Sequence, residues 1–326
     1  MSSQVNRRSF MKQSLAASAG GVLAAGSTHA AATGGLSIKV EPGSKGTMPM
    51  GKIGNMQVSR MLLGGNLLTH YTHSRDLKYV YNLCAHYNTE DKIHETMALA
   101  EAHGINTLSI HNPPGIISML KRYRQRYGGK IQWIVCPIAE LTDDMKAYAD
   151  MAKELVDEGT EALYLWGVRS DPLCAQGKMD LVRKAVEIGK DLGVPSGVGC
   201  HDLNAIVQCE KHKIPADFYI KTFHHHNYPS APKPNELKGA YNEVPGYWCR
   251  DPQETVEVMK NVTKPWIAFK VMAAGAIPPA DAFKYVFENG ADHTLAGMFD
   301  FEIAEDTKIL NETLSNLKNR ARPWRS

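Results

Sequence analysis

The sequence has almost no excess of either charge outside its first residues. Its 326 residues include 37 Lys and Arg against 34 Asp and Glu, a formal net charge of +3. Arg7, Arg8 and Lys12 carry that much charge by themselves, so the rest of the chain is close to neutral. Because proteins that bind nucleic acid need a basic surplus to neutralise phosphates, we expect no nucleic acid among the partners.

Two common motifs are also missing. No GxGxxG stretch occurs, which argues against an open dinucleotide-binding sheet. No two cysteines have the CxxC spacing of many zinc and redox sites, and the sequence leaves any disulfide pairing open. The six cysteines are Cys84, Cys136, Cys174, Cys200, Cys209 and Cys249.

A single long apolar run stands out, at the N-terminus. Arg7 and Arg8 precede a stretch rich in Ala, Gly and Leu, and small residues follow up to Ala30. This order is typical of a twin-arginine export signal, and the run is too short to span a bilayer well. We predict a signal peptide over residues 1–30, a linker over 31–47 and one domain over 48–326. The mature protein is expected in the periplasm or outside the cell, without stable membrane insertion.

From residue 50 onward, apolar strand-like runs alternate with helical patterns. Thr89 is expected to cap one helix and Thr142 another. Eight strands separated by helices predict an α/β fold, a (β/α)8 TIM barrel closed by its parallel strands. The predicted strands are residues 61–65, 105–110, 131–136, 162–166, 195–200, 218–223, 266–271 and 293–297.

The start of the predicted domain resembles a known family. Residues 51–65 read GKIGNMQVSRMLLGG, similar to the GxTGxxVSxLxLGG opening hairpin and first strand of aldo/keto reductases. Weaker correspondences continue in order over roughly residues 48–320. The resemblance implies a barrel with an N-terminal β-hairpin and long loops at its top face. It also implies NADP-dependent carbonyl reduction by an Asp, a Tyr, a Lys and a His, of which the Tyr donates the proton.

The chain departs from that family at all four catalytic positions. Ser109 stands where the resemblance places the Asp, and Pro114 where it places the Tyr. The third strand ends in Cys136 and Pro137, where the resemblance places Thr-Lys, and Gly167 replaces the His. Proline has no phenolic proton and glycine cannot polarise a carbonyl, so the family's usual chemistry is not expected.

The implied nicotinamide site is altered as well. The Ser-Asn pair usual after the fifth strand corresponds to Cys200, His201 and Asp202, and the Gln of the sixth strand corresponds to Lys221. NADPH is also scarce outside the cytoplasm. The sequence therefore argues against NADP as the cofactor.

Basic residues gather at the C-terminal ends of the predicted strands, where barrel enzymes place their active sites. Bulky Ile267, Phe269 and Val271 are expected to face the helices, which would leave Lys270 pointing into the barrel. A desolvated lysine can abstract a proton or form a Schiff base, and a lysine paired with a carboxylate is the alternative. The predicted catalytic residues are Lys270, Lys221, His111 and His201.

Three histidines form a predicted metal site. His224 and His226 would share one face of an extended chain, and His201 follows the neighbouring strand. Neutral imidazole is a common ligand of zinc and similar divalent transition metals, and a solvated polar loop is the alternative. An inward Lys221 would direct His225 inward instead of its two neighbours, and the sequence does not decide between these arrangements.

Two long loops, residues 67–88 and 227–250, combine aromatic and polar side chains. Such residues suit stacking on a sugar ring, and they equally suit a packed lid or a subunit contact. The oligomeric state is left open. The predicted substrate-binding residues are Asn66, Asn112, Arg169, Tyr247 and Trp248.

Replacement of the hydride-transfer residues by basic and metal-capable ones favours a lyase, isomerase or epimerase. Its substrate would be a carbonyl-bearing or polyhydroxylated small molecule, such as a sugar derivative, and a metal would assist proton abstraction. One alternative is an oxidoreductase of the aldo/keto reductase superfamily with relocated catalytic residues. Another is a barrel without activity that only binds a ligand.

Overall fold

The computed structural model describes residues 38–74, 77–237 and 249–326. The predicted signal peptide and the first part of the predicted linker lie outside these ranges, so export stays a prediction. Within these ranges no helix has both the length and the apolar composition needed to cross a membrane.

Eight parallel strands close into a barrel, as the sequence predicts. Each strand pairs with its neighbours in chain order, and the last pairs with the first. Every predicted strand is confirmed to within two residues at each end. The barrel strands are β3 (Met61–Gly64), β4 (Thr107–His111), β5 (Gln132–Cys136), β6 (Ala162–Leu165), β7 (Ser196–Cys200), β8 (Tyr219–Thr222), β9 (Trp266–Phe269) and β10 (His293–Ala296).

A short hairpin precedes the barrel and confirms the predicted opening. Its strands β1 (Met50–Ile53) and β2 (Met56–Ser59) pair in antiparallel fashion. The side chains of Ile53 and Val58 are buried in one cluster with inward-facing barrel residues such as Leu62. The hairpin thus closes the N-terminal end of the barrel, and the opposite end remains for a cavity.

Helices return the chain between successive barrel strands, as parallel pairing requires. Their buried residues face the outside of the barrel and form the larger of two apolar clusters. Ten α-helices lie in the described residues: α1 (Lys78–Tyr87), α2 (Glu90–Ala102), α3 (Ile116–Tyr127), α4 (Lys146–Asp157), α5 (Gly167–Ala175), α6 (Met179–Asp191), α7 (Leu203–Lys211), α8 (Pro252–Asn261), α9 (Pro279–Glu288) and α10 (Ile303–Ser315).

One predicted helix cap is confirmed and the other is wrong. The Thr89 hydroxyl accepts a hydrogen bond from the Lys92 N–H at 3.4 Å, at the start of α2. The predicted cap at Thr142 fails because α4 begins only at Lys146. The Thr142 hydroxyl instead donates to Asp144 Oδ1 at 2.7 Å, within a turn that precedes the helix.

Candidate active site

A cavity of about 370 Å³ opens at the C-terminal ends of the barrel strands. That volume suits one small-molecule ligand. The loop that follows β3 supplies part of the wall, and most barrel strands contribute a residue to the floor or rim. The polar lining includes Asn66, His73, His111, His201 and Lys270.

Lys270 reaches this cavity by a route that the alternation along β9 does not predict. Ile267 packs inside the barrel with Phe269 against it, whereas Ala268 packs toward the helices. The expectation that the bulky residues face the helices is therefore wrong, because large side chains fill a barrel interior. β9 ends at Phe269, and Lys270 adopts a left-handed φ of 56°, which directs its side chain to the cavity.

The ammonium group of Lys270 is held by a histidine on the loop after β3. Lys270 Nζ lies 2.7 Å from His73 Nε2, and Asn66 Nδ2 lies 3.0 Å from the same nitrogen. An ammonium group only donates, so His73 Nε2 is the acceptor and the ring proton is on Nδ1. Burial first, then Lys270, His201 and His111, lower the pKa of His73 to about 2. This imidazole therefore stays neutral at physiological pH.

A buried carboxylate orients His201, which follows β7. His201 Nδ1 lies 2.8 Å from Asp171 Oδ2, and Asp171 also accepts the backbone N–H groups of His201 and Asp202 at 3.0 to 3.1 Å. The carboxylate thereby places the ring proton on Nδ1 and the lone pair on Nε2. Burial lowers the pKa of His201, and Asp171 offsets part of that shift.

The missing side chain at residue 167 makes room for this imidazole. A Cβ atom on Gly167 would lie 2.9 Å from His201 Cε1 and 3.0 Å from His201 Nδ1, so the ring would have to move. Gly167 is also the position at which the family resemblance places a catalytic histidine. The ring of His201 therefore lies, from the neighbouring strand, directly against the position where the family's histidine would begin.

Aromatic rings line the cavity around these polar groups. Trp166 stacks on His111 with ring planes 5° apart and centroids 6.0 Å apart. Tyr71 meets His111 edge-on at 5.6 Å, and Phe269 contacts the His201 ring at 5.5 Å. The cavity thus offers flat apolar surfaces beside a cation and neutral imidazoles, which suits a small polar molecule with an apolar face.

Ser109, which stands where the resemblance places the catalytic Asp, lines the cavity. Tyr164 from β6 lies beside Ser109 and Cys136, two of the positions at which this chain departs from the family. Burial raises the pKa of Tyr164 well above its usual value, so its phenol is a weak acid. Ser109 Oγ is buried without a hydrogen-bond partner among the described residues. A polar group of a ligand would satisfy it.

Lys221 does not line the cavity. It alternates with Ile220, which packs inside the barrel, so Lys221 faces the helix layer on the other side of the sheet. There it is fully buried, and its Nζ donates to the Thr222 carbonyl at 2.7 Å. The structure therefore separates Lys221 from Lys270, and the proposed competition with an inward His225 does not arise.

Two predicted substrate-binding residues also lie away from the cavity lining. Asn112 Oδ1 accepts the Ile138 N–H at 3.1 Å and so supports the loop after β5. Arg169 lies 3.4 Å from Glu140 Oε1 at the surface. Asn66 does line the cavity, where it contacts the same His73 nitrogen as Lys270. Two further predicted residues, Tyr247 and Trp248, lie outside the described residues.

The three histidines of the predicted metal site are not brought together. His224 Nδ1 donates to the Lys270 carbonyl at 2.9 Å, and His226 Nε2 donates to the Cys249 carbonyl at 2.5 Å. His201 uses Nδ1 in its carboxylate contact. In the ranges that the structure covers, no group of three His, Cys, Asp or Glu is arranged to hold a metal ion. The described geometry thus gives the predicted zinc site no support.

Two residues of the cavity region were not predicted from the sequence as site residues. His73 lies in an irregular loop, where no periodicity fixes the direction of a side chain. Asp171 lies 30 residues before His201 and meets it only through the packing of α5 against β7. One signal was available, because Asp171 and Cys174 are on one buried face of α5. A carboxylate on a buried helix face requires a polar partner.

No protein-family profile matches this chain, and no curated protein matches it. The solved structures that share its fold include two of proteins from Pseudomonas aeruginosa that are provisionally assigned as aldo-keto reductases. The first has a TM-score of 0.54 and 15% sequence identity, with 84% of this chain and 97% of that chain covered. The second has a TM-score of 0.50 and 15% identity, with 82% and 94% covered.

These likenesses correct the leading functional expectation. The two proteins carry the name of an oxidoreductase family, and nothing in the comparison supports lyase, isomerase or epimerase chemistry. That expectation is wrong, and the oxidoreductase alternative is the better supported of the two. A likeness at 15% identity establishes the fold and leaves the reaction to the site. The described chain has the (β/α)8 barrel fold of the aldo-keto reductases.

Proposed function

We propose that this protein is an oxidoreductase that interconverts a hydroxyl and a carbonyl group on a small molecule, with His201 and Lys270 as relocated catalytic residues. The observation that carries this proposal is the imidazole of His201, which lies against the vacant position at Gly167. Lys270 adds an ammonium group to the same cavity. Oxidation of a hydroxyl group needs a base that removes the proton and a cation that stabilises the negative charge on the oxygen.

His201 would take the proton of the substrate hydroxyl. Its lone pair is on Nε2, and its lowered pKa keeps the ring neutral at physiological pH, as a base must be before reaction. When Nε2 takes the proton, the 2.8 Å contact with Asp171 stabilises the resulting imidazolium. In the reverse direction the imidazolium returns the proton to the carbonyl oxygen.

Lys270 would stabilise the negative charge that builds on the substrate oxygen as the proton leaves. His73 holds its ammonium group at 2.7 Å through a neutral nitrogen. His73 carries no negative charge, so this contact fixes the position of the ammonium group without forming an ion pair with it. A carboxylate in place of His73 would fix the position equally well and cancel the charge.

The resemblance implies a nicotinamide dinucleotide, and the cavity matches one part of that cofactor. Trp166 and Phe269 offer flat surfaces for a planar ring, and the unpartnered Ser109 hydroxyl offers a contact for a polar ring substituent. Lys270 is the one lysine or arginine among the described lining residues, and Glu302 adds a carboxyl group. The cavity therefore offers few groups that could bind the phosphates of the cofactor. We therefore assign the cavity to a nicotinamide or flavin ring and leave the phosphates unassigned. Such a ring, when bound, supplies the acceptor for the hydride that leaves the carbon.

The proposed localisation is the periplasm or the cell exterior. The twin-arginine pattern within residues 1–30 supports it. Because the twin-arginine route exports proteins that have already folded, a cofactor ring would be loaded before export. Fractionation of cells that express the full chain, with and without Arg7→Lys and Arg8→Lys, tests this localisation separately from the reaction.

The test of the reaction uses the purified full chain. The denatured supernatant is examined for a released nicotinamide or flavin by absorbance and mass spectrometry, and dye reduction is followed with a panel of polyols and sugars. We expect a ring chromophore, or activity that depends on an added one. Lys270→Met should lower the rate roughly 100-fold or more, whereas His226→Gln, outside the cavity, should keep it. No redox ring, bound or added, and no dye reduction with any alcohol would contradict the proposal.

A further inference from the structure

The backbone at Lys270 has a conformation that side chains seldom adopt. β9 ends one residue earlier, and Lys270 has a φ of 56°. Ala273 and Ala274 in the same loop are left-handed as well, with φ of 48° and 56°. Left-handed backbone is unfavourable for every residue with a Cβ atom, so contacts elsewhere must hold it. At Lys270 this conformation is what aims the ammonium group at His73.

A buried histidine contacts the backbone at this point. His224 is fully buried, and its Nδ1 lies 2.9 Å from the Lys270 carbonyl oxygen. The carbonyl only accepts, so Nδ1 carries the ring proton and Nε2 carries the lone pair. Burial, followed by the effect of His226, lowers the pKa of His224 to about 3. The ring therefore keeps one tautomer and donates to Lys270 throughout the physiological range.

This histidine is not needed to satisfy the Lys270 carbonyl. The N–H of Ala273 already donates to the same oxygen at 3.1 Å. His224 Nε2 is meanwhile buried with no hydrogen-bond partner among residues of the described ranges, which is an unfavourable state for a polar atom. An apolar residue would avoid that unfavourable state. A role for the Nδ1 contact itself accounts for a histidine here better than packing does.

We propose that His224 is a positioning residue that holds the left-handed turn at Lys270 and so keeps the ammonium group on His73. The catalytic consequence of this role rests on the function proposed above, but the conformational part does not. His224 follows β8 and lies outside the cavity lining. His224 acts on the site through the backbone of the next strand.

The experiment measures the accessibility of Lys270 in the full chain without any substrate. Reductive methylation with formaldehyde and cyanoborohydride is timed, and modification of Lys270 is mapped by mass spectrometry. His224→Asn keeps an N–H close to the position of Nδ1, whereas His224→Leu removes the donor and His224→Gln moves it farther along the side chain. His225→Gln is the matched control, because this neighbouring histidine contacts Tyr285 and the Asn227 N–H instead.

We expect methylation of Lys270 to be roughly fivefold faster in His224→Leu and His224→Gln, a change that the loss of one ordinary hydrogen bond permits. His224→Asn and His225→Gln should match the parent protein. Equal methylation rates in a folded His224→Gln protein would overturn the proposal, and this variant keeps the test valid if the leucine variant does not fold. Faster methylation with turnover that does not depend on Lys270 would retain the positioning role and reject the proposed reaction.

Discussion

The two ends of the barrel differ in how their buried polar groups are bonded. At the N-terminal end, the fully buried carboxylate of Asp292 accepts hydrogen bonds from the Trp266 N–H, the Arg325 N–H and the Arg322 side chain at 2.8 to 3.2 Å. At the C-terminal end, Ser109 Oγ is buried without a hydrogen-bond partner in the described structure, and the backbone of Lys270 has a left-handed conformation. At the N-terminal end the buried ion pairs of Asp292 with Arg320 and Arg322 serve stability, although Arg322 Nε and Nη1 have no hydrogen-bond partner among the described residues. The C-terminal end keeps a strained backbone and a buried hydroxyl that a ligand can use.

The histidines show the same contrast. At the N-terminal end, His293 uses both ring nitrogens, with Nδ1 2.9 Å from the Ser59 carbonyl and Nε2 2.6 Å from Ser326 Oγ. At the C-terminal end, His201 commits Nδ1 to Asp171, and that contact places the lone pair of Nε2 at the cavity. Substitutions at the two ends should therefore change different measured quantities, stability at one and turnover at the other.

The largest effect is expected at the C-terminal end, from Asp171→Asn. The amide keeps the shape of the side chain, but it cannot stabilise an imidazolium and can favour the other tautomer of His201. We expect kcat for hydroxyl oxidation to fall roughly 10²- to 10⁴-fold. Asp157→Asn, in an exposed pair with Lys153, is the control and should leave kcat as it is. An equal kcat in both variants would exclude the proposed role of this carboxylate.

The next effect is expected at the N-terminal end, from Asp292→Asn. This change removes the charge that faces Arg320 and Arg322, both almost fully buried, and leaves two guanidinium groups without a counter-ion. We expect the free energy of unfolding in urea to fall by about 3–5 kcal/mol. For Asp157→Asn the change should stay within about 0.5 kcal/mol. If Asp292→Asn lowers kcat of the folded protein instead, the division of roles between the two ends is wrong.

A fall in pH should lower the free energy of unfolding through His293, at the N-terminal end of the barrel. Burial, followed by the charge of Arg60, lowers the pKa of His293 to about 3, from 6.5 in a model peptide. Between about pH 6.5 and pH 3 the unfolded chain therefore binds a proton that the folded chain does not. Stability is complete above this window and declines as the pH falls through it. Urea unfolding at pH 7, 5 and 4 should show a smaller decline in His293→Gln than in the parent, while exposed His86→Gln should follow the parent.

The fold could be predicted from the sequence because the signals that specify it are local. Runs such as residues 131–136 are apolar and lie between helical patterns, and each was found as a strand at nearly the predicted bounds. The direction of Lys270 could not be predicted in the same way. Strand alternation stops at Phe269, and the turn that follows depends on a left-handed residue and on contacts from β8 and the loop after β3.

The contact between His201 and Asp171 could not be predicted for a related reason. His201 was predicted from its place after a strand, but its partner Asp171 lies in a helix that follows the preceding strand. Only the three-dimensional packing of α5 against β7 places them 2.8 Å apart. The predicted metal site stays a prediction without support from the described geometry, in which each of its histidines has a hydrogen-bond partner that would compete with a metal ion, for example the Lys270 carbonyl for His224. Sequence spacing cannot reveal such competition.

The smallest effect should come from Gly167→Ala, and it tests the relocation most directly. An added Cβ would lie 2.9 Å from His201 Cε1, so the ring must shift by a few tenths of an ångström against its 2.8 Å contact with Asp171. Alanine suits this helix start at least as well as glycine, so we expect the free energy of unfolding to change by about 1 kcal/mol or less.

Turnover should nevertheless fall about tenfold, because a misplacement of this size weakens proton transfer. Gly297→Ala is the matched comparison, since an added Cβ there would meet only Leu67 at 3.6 Å, which is an ordinary contact. We expect a smaller fall in turnover for this variant than for Gly167→Ala. Both rates are measured with the dye assay, together with the NMR signals of the His201 ring. If the ring signals move while kcat stays constant, His201 fills the space at residue 167 without acting as the base, and the relocated site must then centre on Lys270.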